Sequence, residues 1–178
     1  MSEIRNLEPK IVWEIFDDIT KYPRPSKKEE KIIAYIEKFA SDLGLTVKKD
    51  AIGNLSIKKP ATAGMENRQR FCIQAHVDMV CEKNRDVEFD FDNDSIQTYI
   101  DGDWVKAKGT TLGADNGMGL AMGMAVLASK DLKHPEFELL CTLDEETGLT
   151  GAIELGTDLL SSEILINLDS EEDGHFTI

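Results

Sequence analysis

The sequence has no excess of basic residues, since 20 lysines and arginines stand against 34 aspartates and glutamates, a net charge of −14. Nucleic acids and anionic membranes bind proteins through clusters of Lys and Arg, so the charge argues against both as partners. There is also no run of the roughly 20 apolar residues that spans a bilayer. The N-terminus mixes charges of both signs without an apolar core, which argues against a secretory signal and predicts a cytoplasmic protein.

Cysteine is scarce, with three residues at positions 72, 81 and 141. Their odd number and their spacing match no zinc-finger or redox pattern. Cys72 and Cys141 lie inside apolar runs, so we expect buried free thiols, as in a reducing compartment.

The 178 residues, 41% of them hydrophobic, are enough for one domain with a sizeable core. Apolar residues at helical spacing predict helices over about 9–19, 116–128 and 147–155. A further helix should open at Ser26, where Glu29 completes a capping box, and end at Gly44. Strands are predicted at 45–49, 55–58, 71–75, 137–143 and 163–168, with a hairpin over 97–107. The alternation predicts an α/β fold, a mostly parallel mixed sheet with helices on both faces.

Polar side chains of one chemical kind follow several of the predicted strands. His76 and Asp78 follow strand 71–75, Glu145 and Glu146 follow strand 137–143, Asp169 follows strand 163–168, and Asp115 lies in a glycine-rich turn before a helix. Alone, each feature is typical of a turn, a helix N-terminus or a solvated acidic loop. In an open α/β sheet, however, ligands bind at the carboxyl ends of the strands, so these groups should share one rim.

Imidazole and carboxylate groups suit zinc, and also manganese or cobalt. A carboxylate between two ions can bridge them about 3.5–4 Å apart, and such a pair polarises a carbonyl and activates a water. Glu145 is adjacent to Glu146, so one can bind metal while the other takes the proton of the water. Asp78 lies two residues beyond His76, on the same side of an extended chain, where it can fix the imidazole tautomer.

Four segments carry a resemblance to a known family. They are Ala75-His76-Val77-Asp78-Met79-Val80, residues 109–117, Asp144-Glu145-Glu146-Thr147-Gly148 and Asn167-Leu168-Asp169-Ser170-Glu171-Glu172. In this order they resemble the zinc exopeptidases that include the aminoacylases, carboxypeptidase G and peptidase T. Within these, Leu112-Gly113-Ala114-Asp115-Asn116-Gly117 is most similar to the aminoacyl-histidine dipeptidases, and the resemblance covers nearly the whole chain.

The resemblance implies a three-layer catalytic domain with two divalent metal ions, zinc in the first place, with manganese or cobalt possible. The implied metal ligands are His76 and Asp169 on the first ion, Asp115 as the bridge, and Glu146 on the second ion. Glu145 would be the general base, and Asp78 would orient His76. The implied reaction is hydrolysis of dipeptides with a free amino end, including Xaa-His and β-alanyl-histidine, by a homodimer in the full-length form.

The family pattern also requires a further metal-binding His, a lid or dimerisation domain and a second catalytic segment. His134 precedes a proline and His175 lies six residues beyond Asp169, so both are weak substitutes for that ligand. We therefore expect residues 1–178 to be the N-terminal part of a catalytic domain, incomplete at its C-terminus, where residues 176–178 open a further strand. Such a chain should have little peptidase activity by itself.

Two alternatives stay open. Residues 169–174 match the opening of an EF-hand calcium loop, although a strand precedes them, and residues 90–94 are vaguely similar but have Ser95 where Gly is needed. The chain could also be a non-catalytic remnant of a dipeptidase that binds a metal or a partner and hydrolyses nothing.

Overall fold

A computed structural model of the chain describes residues 2–170 and residue 174. Its helices are α1 Lys10–Ile19, α2 Glu30–Asp42, α3 Ala114–Ala128, α4 Glu145–Gly148 and α5 Thr150–Ile153. Its strands are β1 Thr46–Lys49, β2 Leu55–Lys59, β3 Phe71–His76, β4 Thr98–Asp101, β5 Trp104–Ala107, β6 Phe137–Thr142 and β7 Ile164–Asn167. The strands, α1 and α3 therefore lie where the sequence predicts them. The strand expected to open at residues 176–178 lies outside the described residues.

Five strands form one sheet in the order β1-β2-β6-β3-β7. β3 runs parallel to both β6 and β7, whereas β2 is antiparallel to β1 and to β6. This arrangement confirms the predicted mixed α/β sheet. β4 and β5 form the separate predicted hairpin. Because β6, β3 and β7 are parallel and adjacent, the residues that follow them emerge at one edge of the sheet.

The three long helices bury their apolar stripes against one face of the sheet. Phe16 of α1, Ile36 of α2 and Leu120 of α3 are fully buried in one cluster with Leu139 of β6. Gly123 of α3 faces the Leu139 side chain, and a Cβ at this position would overlap it. Gly123, which disfavours a helix by propensity, therefore allows α3 to pack closely on the sheet.

The opposite face of the sheet has a thinner cover. A small cluster of Cys72, Leu140 and Leu159 packs there against Leu155 and Leu160. In the described part of the chain this layer consists of the short helix α5 and the turns after it. Cys72 and Cys141 are buried and free, as expected.

The second helix begins later than predicted. α2 starts at Glu30, and Ser26 makes no cap because its hydroxyl donates instead to Asp78 Oδ2 at 2.7 Å. Glu29 does not complete a capping box with Ser26; its Oε1 accepts the amides of Lys27 and Asp144. The expected capping residues are thus used in tertiary contacts, which local sequence spacing does not reveal.

The helix predicted over residues 147–155 is also wrong. Two four-residue helices, α4 and α5, are separated at Leu149, whose φ is 54°. The hydroxyls of Thr147 and Thr150 each donate to the Asp144 carboxylate at 2.5 Å. These bonds turn the chain at the end of β6, so that residues 147–155 do not form one regular helix.

Among the described residues, no helix combines the length and apolar character that crossing a membrane requires.

Candidate metal centre

The predicted site residues meet at the edge where the parallel strands end. His76 is the last residue of β3, level with Thr142 at the end of β6, and Gln74 of β3 pairs with Asn167 at the end of β7. Asp78, the 144–146 segment and Asp169 follow these strand ends directly. Asp115 joins them from the first turn of α3. The structure therefore places all six predicted site residues at one edge.

His76 lies at the centre of this group. Its Nε2 is 2.9 Å from Asp115 Oδ1, 3.8 Å from Asp169 Oδ1 and 4.0 Å from Glu145 Oε2. One ligand atom from each of His76, Asp115 and Glu146 lies within 4.8 Å of the others, a spacing that can hold a metal ion. The described cluster thus brings one nitrogen and several oxygen donors together, the chemistry that zinc, manganese and cobalt accept.

Asp78 is fully buried behind the imidazole. Its Oδ1 lies 3.2 Å from His76 Nδ1 and can accept a proton from it, while Nε2 faces Asp115. The same carboxylate accepts the backbone amides of Glu145 and Glu146 at 3.1 and 3.2 Å. Although burial alone raises its pKa, the hydrogen bonds from His76, Ser26 and these amides lower the pKa of Asp78 to about 2.

The crowding of carboxylates shifts the other groups in the opposite sense. Burial lowers the pKa of His76, but the hydrogen bond and charge of Asp78, the hydrogen bond of Asp115 and the charge of Asp169 outweigh it and raise that pKa to about 9. The pKa of Glu146 is raised, by burial first and then by the charge of Asp115. Burial also raises the pKa of Glu145, and Asp169 adds to the effect. In the metal-free chain a proton on His76 therefore balances charge that a bound cation would balance instead.

Asp115 lies at a kink at the start of α3. Asp115 and Asn116 have non-helical backbone angles, and the peptide bond between them is cis. The buried Asn116 side-chain amide donates to the Leu168 carbonyl at 2.9 Å, next to Asp169. This bond ties the segment that carries Asp115 to the one that carries Asp169.

His134, the other histidine that the structure describes, lies outside this centre. His134 is buried near the start of β6, at the other end of the strand from the site, where its ring packs edge-on against Phe137. Its Nδ1 lies 2.8 Å from the Pro135 carbonyl oxygen. His134 therefore lies too far from the predicted site to be the substitute ligand. His175 lies outside the described residues.

Two cavities lie near the 144–146 segment. The larger, about 490 Å³, is lined by Glu29, Ile33 and Asp144 and by none of the predicted ligands. The smaller, about 270 Å³, borders both Glu145 and Asp169 and is walled by leucine side chains. We regard the smaller one as relevant to the site, because it touches the groups that would perform the chemistry.

Sequence reasoning missed three side chains that shape the site, namely Arg24, Glu29 and Asn116. Arg24 is buried and donates to the carbonyls of Val77, Asp78 and Gly113. Nothing in the sequence around Arg24 marks a buried arginine, and the position of Glu29 indicates a helix cap. Asn116 adjoins the predicted bridging Asp115, and that adjacency is the one signal that could have drawn attention to it.

Comparison with known proteins bears out the resemblance. No protein-family model matches the chain. The sequence is 52% identical over 174 residues to the cytosol non-specific dipeptidase of Escherichia coli. This match covers 98% of this chain and 36% of that protein. The fold matches the crystal structure of aminoacylhistidine dipeptidase from Vibrio alginolyticus with a TM-score of 0.95 and 54% identity, over 97% of this chain and 35% of that one.

A more distant match extends the same fold. Aminopeptidase PepT from Bacillus cereus has a TM-score of 0.76 and 25% identity, over 93% of this chain and 44% of that one. The two dipeptidase matches confirm the predicted similarity to the aminoacyl-histidine dipeptidases. The chain spans about a third of the length of the two dipeptidases that it matches.

Proposed function

We propose that residues 1–178 form the N-terminal part of the catalytic domain of a two-zinc dipeptidase of the aminoacyl-histidine dipeptidase type. The observation that carries this proposal is the convergence of His76, Asp115 and Glu146, with ligand atoms within 4.8 Å of one another. The 52% identity to a dipeptidase supports the substrate class. Because the chain covers 36% of that protein, the activity is proposed for a polypeptide that also contains further segments.

Zinc fits the donor set, with manganese and cobalt as alternatives. His76, Asp115 and Asp169 would hold one ion, and Asp115 and Glu146 would hold the other. Two bound ions supply Lewis acidity that polarises the scissile carbonyl and lowers the pKa of a water. Asp78 contributes by keeping the proton of His76 on Nδ1, so that Nε2 is presented to the site.

Glu145 is the proposed general base. Its Oε2 lies 4.0 Å from His76 Nε2, at the margin of the ligand group, and the cavity of about 270 Å³ opens beside it. Burial raises its pKa in the metal-free chain, and a carboxylate at this position can accept the proton of the attacking water. The same oxygen can then return that proton to the leaving amine.

The outer edge of the sheet supports the proposal that further segments belong to this domain. Ile164, Leu165 and Ile166 of β7 are 42%, 52% and 43% exposed, although a strand this apolar is usually covered. We propose that a lid or dimerisation domain and a second catalytic segment accompany the chain. They would supply the remaining metal-binding His, the substrate contacts and the homodimer interface of a cytoplasmic enzyme.

The decisive experiment compares Glu145→Gln with Glu154→Gln in the complete, zinc-loaded protein. Removing the base should lower kcat for dipeptides such as β-alanyl-histidine by about 10²–10⁴-fold, with zinc content unchanged. Glu154 is exposed at the end of α5, so its substitution should leave kcat unaltered. A kcat of Glu145→Gln close to that of the wild type, with zinc bound, would contradict the assignment.

Residues 1–178 alone should show little turnover in the same assay, because the proposed second metal site lacks a ligand. Robust zinc-dependent hydrolysis by this chain would overturn that part of the proposal. Zinc binding by the complete protein without any hydrolysis would favour the alternative of a non-catalytic remnant.

A further inference from the structure

The segment between α1 and α2 contacts three parts of the chain that carry predicted site residues. Residues 24–29, which we term the anchor segment, touch the end of β3, the end of β6 and the loop before α3. Those places carry His76, the 144–146 segment and Asp115. The anchor segment itself offers no group to the predicted metal ions, so its contacts concern the frame that holds the ligands.

Arg24 makes the most central of these contacts. It is 2% exposed, and its Nη1 donates to the carbonyls of Val77 and Asp78 at 3.1 and 2.9 Å. Its Nη2 donates to the Gly113 carbonyl, two residues before Asp115. Burial lowers its pKa to about 10, so the guanidinium stays charged at neutral pH. One rigid, planar group thus links the strand end after His76 to the loop before Asp115.

The loop before α3 is shaped to receive this guanidinium. Gly113 has a φ of 71°, and a Cβ there would overlap Arg24 Nη2. Gly117, one turn into α3, has the same side-chain nitrogen 2.8 Å from its ideal Cβ position. The glycine-rich sequence around Asp115 therefore accommodates a buried arginine from a distant part of the chain.

Ser26 and Glu29 extend the contact to the other strand ends. The Ser26 hydroxyl donates to Asp78 Oδ2 at 2.7 Å, on the carboxylate that orients His76. Glu29 is 5% exposed, and its Oε1 accepts the Asp144 amide at 3.0 Å, immediately before Glu145. The anchor segment therefore binds one group on each chain segment that presents His76, Asp115 and Glu146.

We propose that Arg24 and Ser26 are positioning residues, which set the zinc affinity of the site. Arg24 fixes the strand end after His76 against the loop before Asp115, and Ser26 holds the Asp78 carboxylate that orients His76. The inference rests on the proposed function, because it assumes that the site binds metal. Simple core packing would need neither a charged group nor bonds aimed at the carbonyls beside the ligands. Second-layer contacts of this kind typically change metal affinity by about 10–100-fold when they are removed.

The first test uses the complete protein. It measures the zinc dissociation constants of the wild type and of Arg24→Lys by competition with a chromophoric chelator. A lysine ammonium cannot donate to both elements as the guanidinium does, so we expect binding about 10–100-fold weaker. The visible spectrum of the cobalt-loaded variant should also change, because the ligands around the ion are displaced. Arg5→Lys is the matched control, since Arg5 pairs with Asp17 and Asp18 and touches no part of the anchor segment.

Ser26→Ala gives a second measurement that does not depend on whether Arg24→Lys folds. It removes one hydroxyl from Asp78 and should weaken zinc binding about 10-fold, the lower end for such contacts. Wild-type affinity in Ser26→Ala, or in folded Arg24→Lys with an unchanged cobalt spectrum, would overturn the proposal for that residue. If the wild type itself binds no zinc, the proposed function fails; if all proteins bind equally, only the positioning role fails.

Discussion

The acidic loop at residues 90–94 and the edge that carries His76, Asp115 and Glu146 contain similar side chains in very different surroundings. In the loop, Asp90 accepts the Asp92 amide at 2.9 Å and the Asn93 side-chain amide at 2.8 Å, and Asp92 pairs with Lys28 at 2.7 Å. These carboxylates are exposed and come from five consecutive residues. Their charge is balanced by local donors and by lysine.

At the sheet edge the groups come from separate segments, and among the described residues no lysine pairs with their carboxylates. The buried guanidinium of Arg24 hydrogen-bonds carbonyl oxygens and not these carboxylates. Because like charges at such distances repel, the carboxylates favour a proton or a metal ion between them. The comparison indicates that convergence and unbalanced charge identify a metal site, whereas a high local count of acidic residues does not. It also disfavours the EF-hand alternative for residues 90–94, which are not flanked by helices.

Substituting one residue in each region tests whether zinc binds at the sheet edge and not at the acidic loop. His76→Ala should weaken zinc binding by more than about 100-fold, because it deletes a ligand outright and even second-layer changes cost about 10–100-fold. Asp92→Ala should leave the zinc dissociation constant unchanged, since it removes an exposed carboxylate paired with Lys28. Competition with a chelator, monitored by absorbance, measures both. Equal losses in the two variants would mean that zinc binds diffusely to acidic surface.

A smaller effect is expected from the buried carboxylate behind the imidazole. Asp78→Asn keeps the size of the side chain but removes its charge, so zinc affinity should fall by about 10–100-fold. The pKa of His76 in the metal-free protein should fall below about 9, because Asp78 is the main group that raises it against the effect of burial. NMR titration of the imidazole measures this shift. Asp94→Asn is the control from the acidic loop. An equal shift of the His76 pKa in that variant would contradict the role assigned to Asp78.

Much of this site could be predicted from the sequence because its residues follow strands whose apolar patterns are clear. His76 ends β3, and Glu146 and Asp169 come shortly after β6 and β7, so a parallel sheet brings them together by topology. The frame around them could not be predicted in the same way. Ser26 and Glu29 have capping-box spacing, and their actual partners lie 52 and 115 residues away in the chain. Local patterns report bonds between near neighbours, whereas these contacts exist only once the sheet has formed.

The helix expected over 147–155 failed for a related reason. Its sequence is compatible with a helix, but the Asp144 carboxylate captures the hydroxyls of Thr147 and Thr150 and turns the chain at Leu149. Short polar side chains near a strand end can compete with helical hydrogen bonds in this way. The amides of Glu145 and Glu146, just before this turn, donate to Asp78, so the irregular backbone adjoins the site.

The mildest test uses pH alone to separate the two acidic regions. A protonated imidazole cannot bind metal, and the pKa of His76 is raised to about 9 in the metal-free chain. Zinc affinity should therefore rise by about tenfold per pH unit between pH 6 and 8.5, as each step removes the competing proton, and level off above the pKa. In the loop, the hydrogen bond from Asn93 lowers the pKa of Asp90, so that carboxylate is ionised throughout this range. Any weak binding that remains in His76→Ala should then be independent of pH, and a slope that survives the substitution would show that another group competes with zinc.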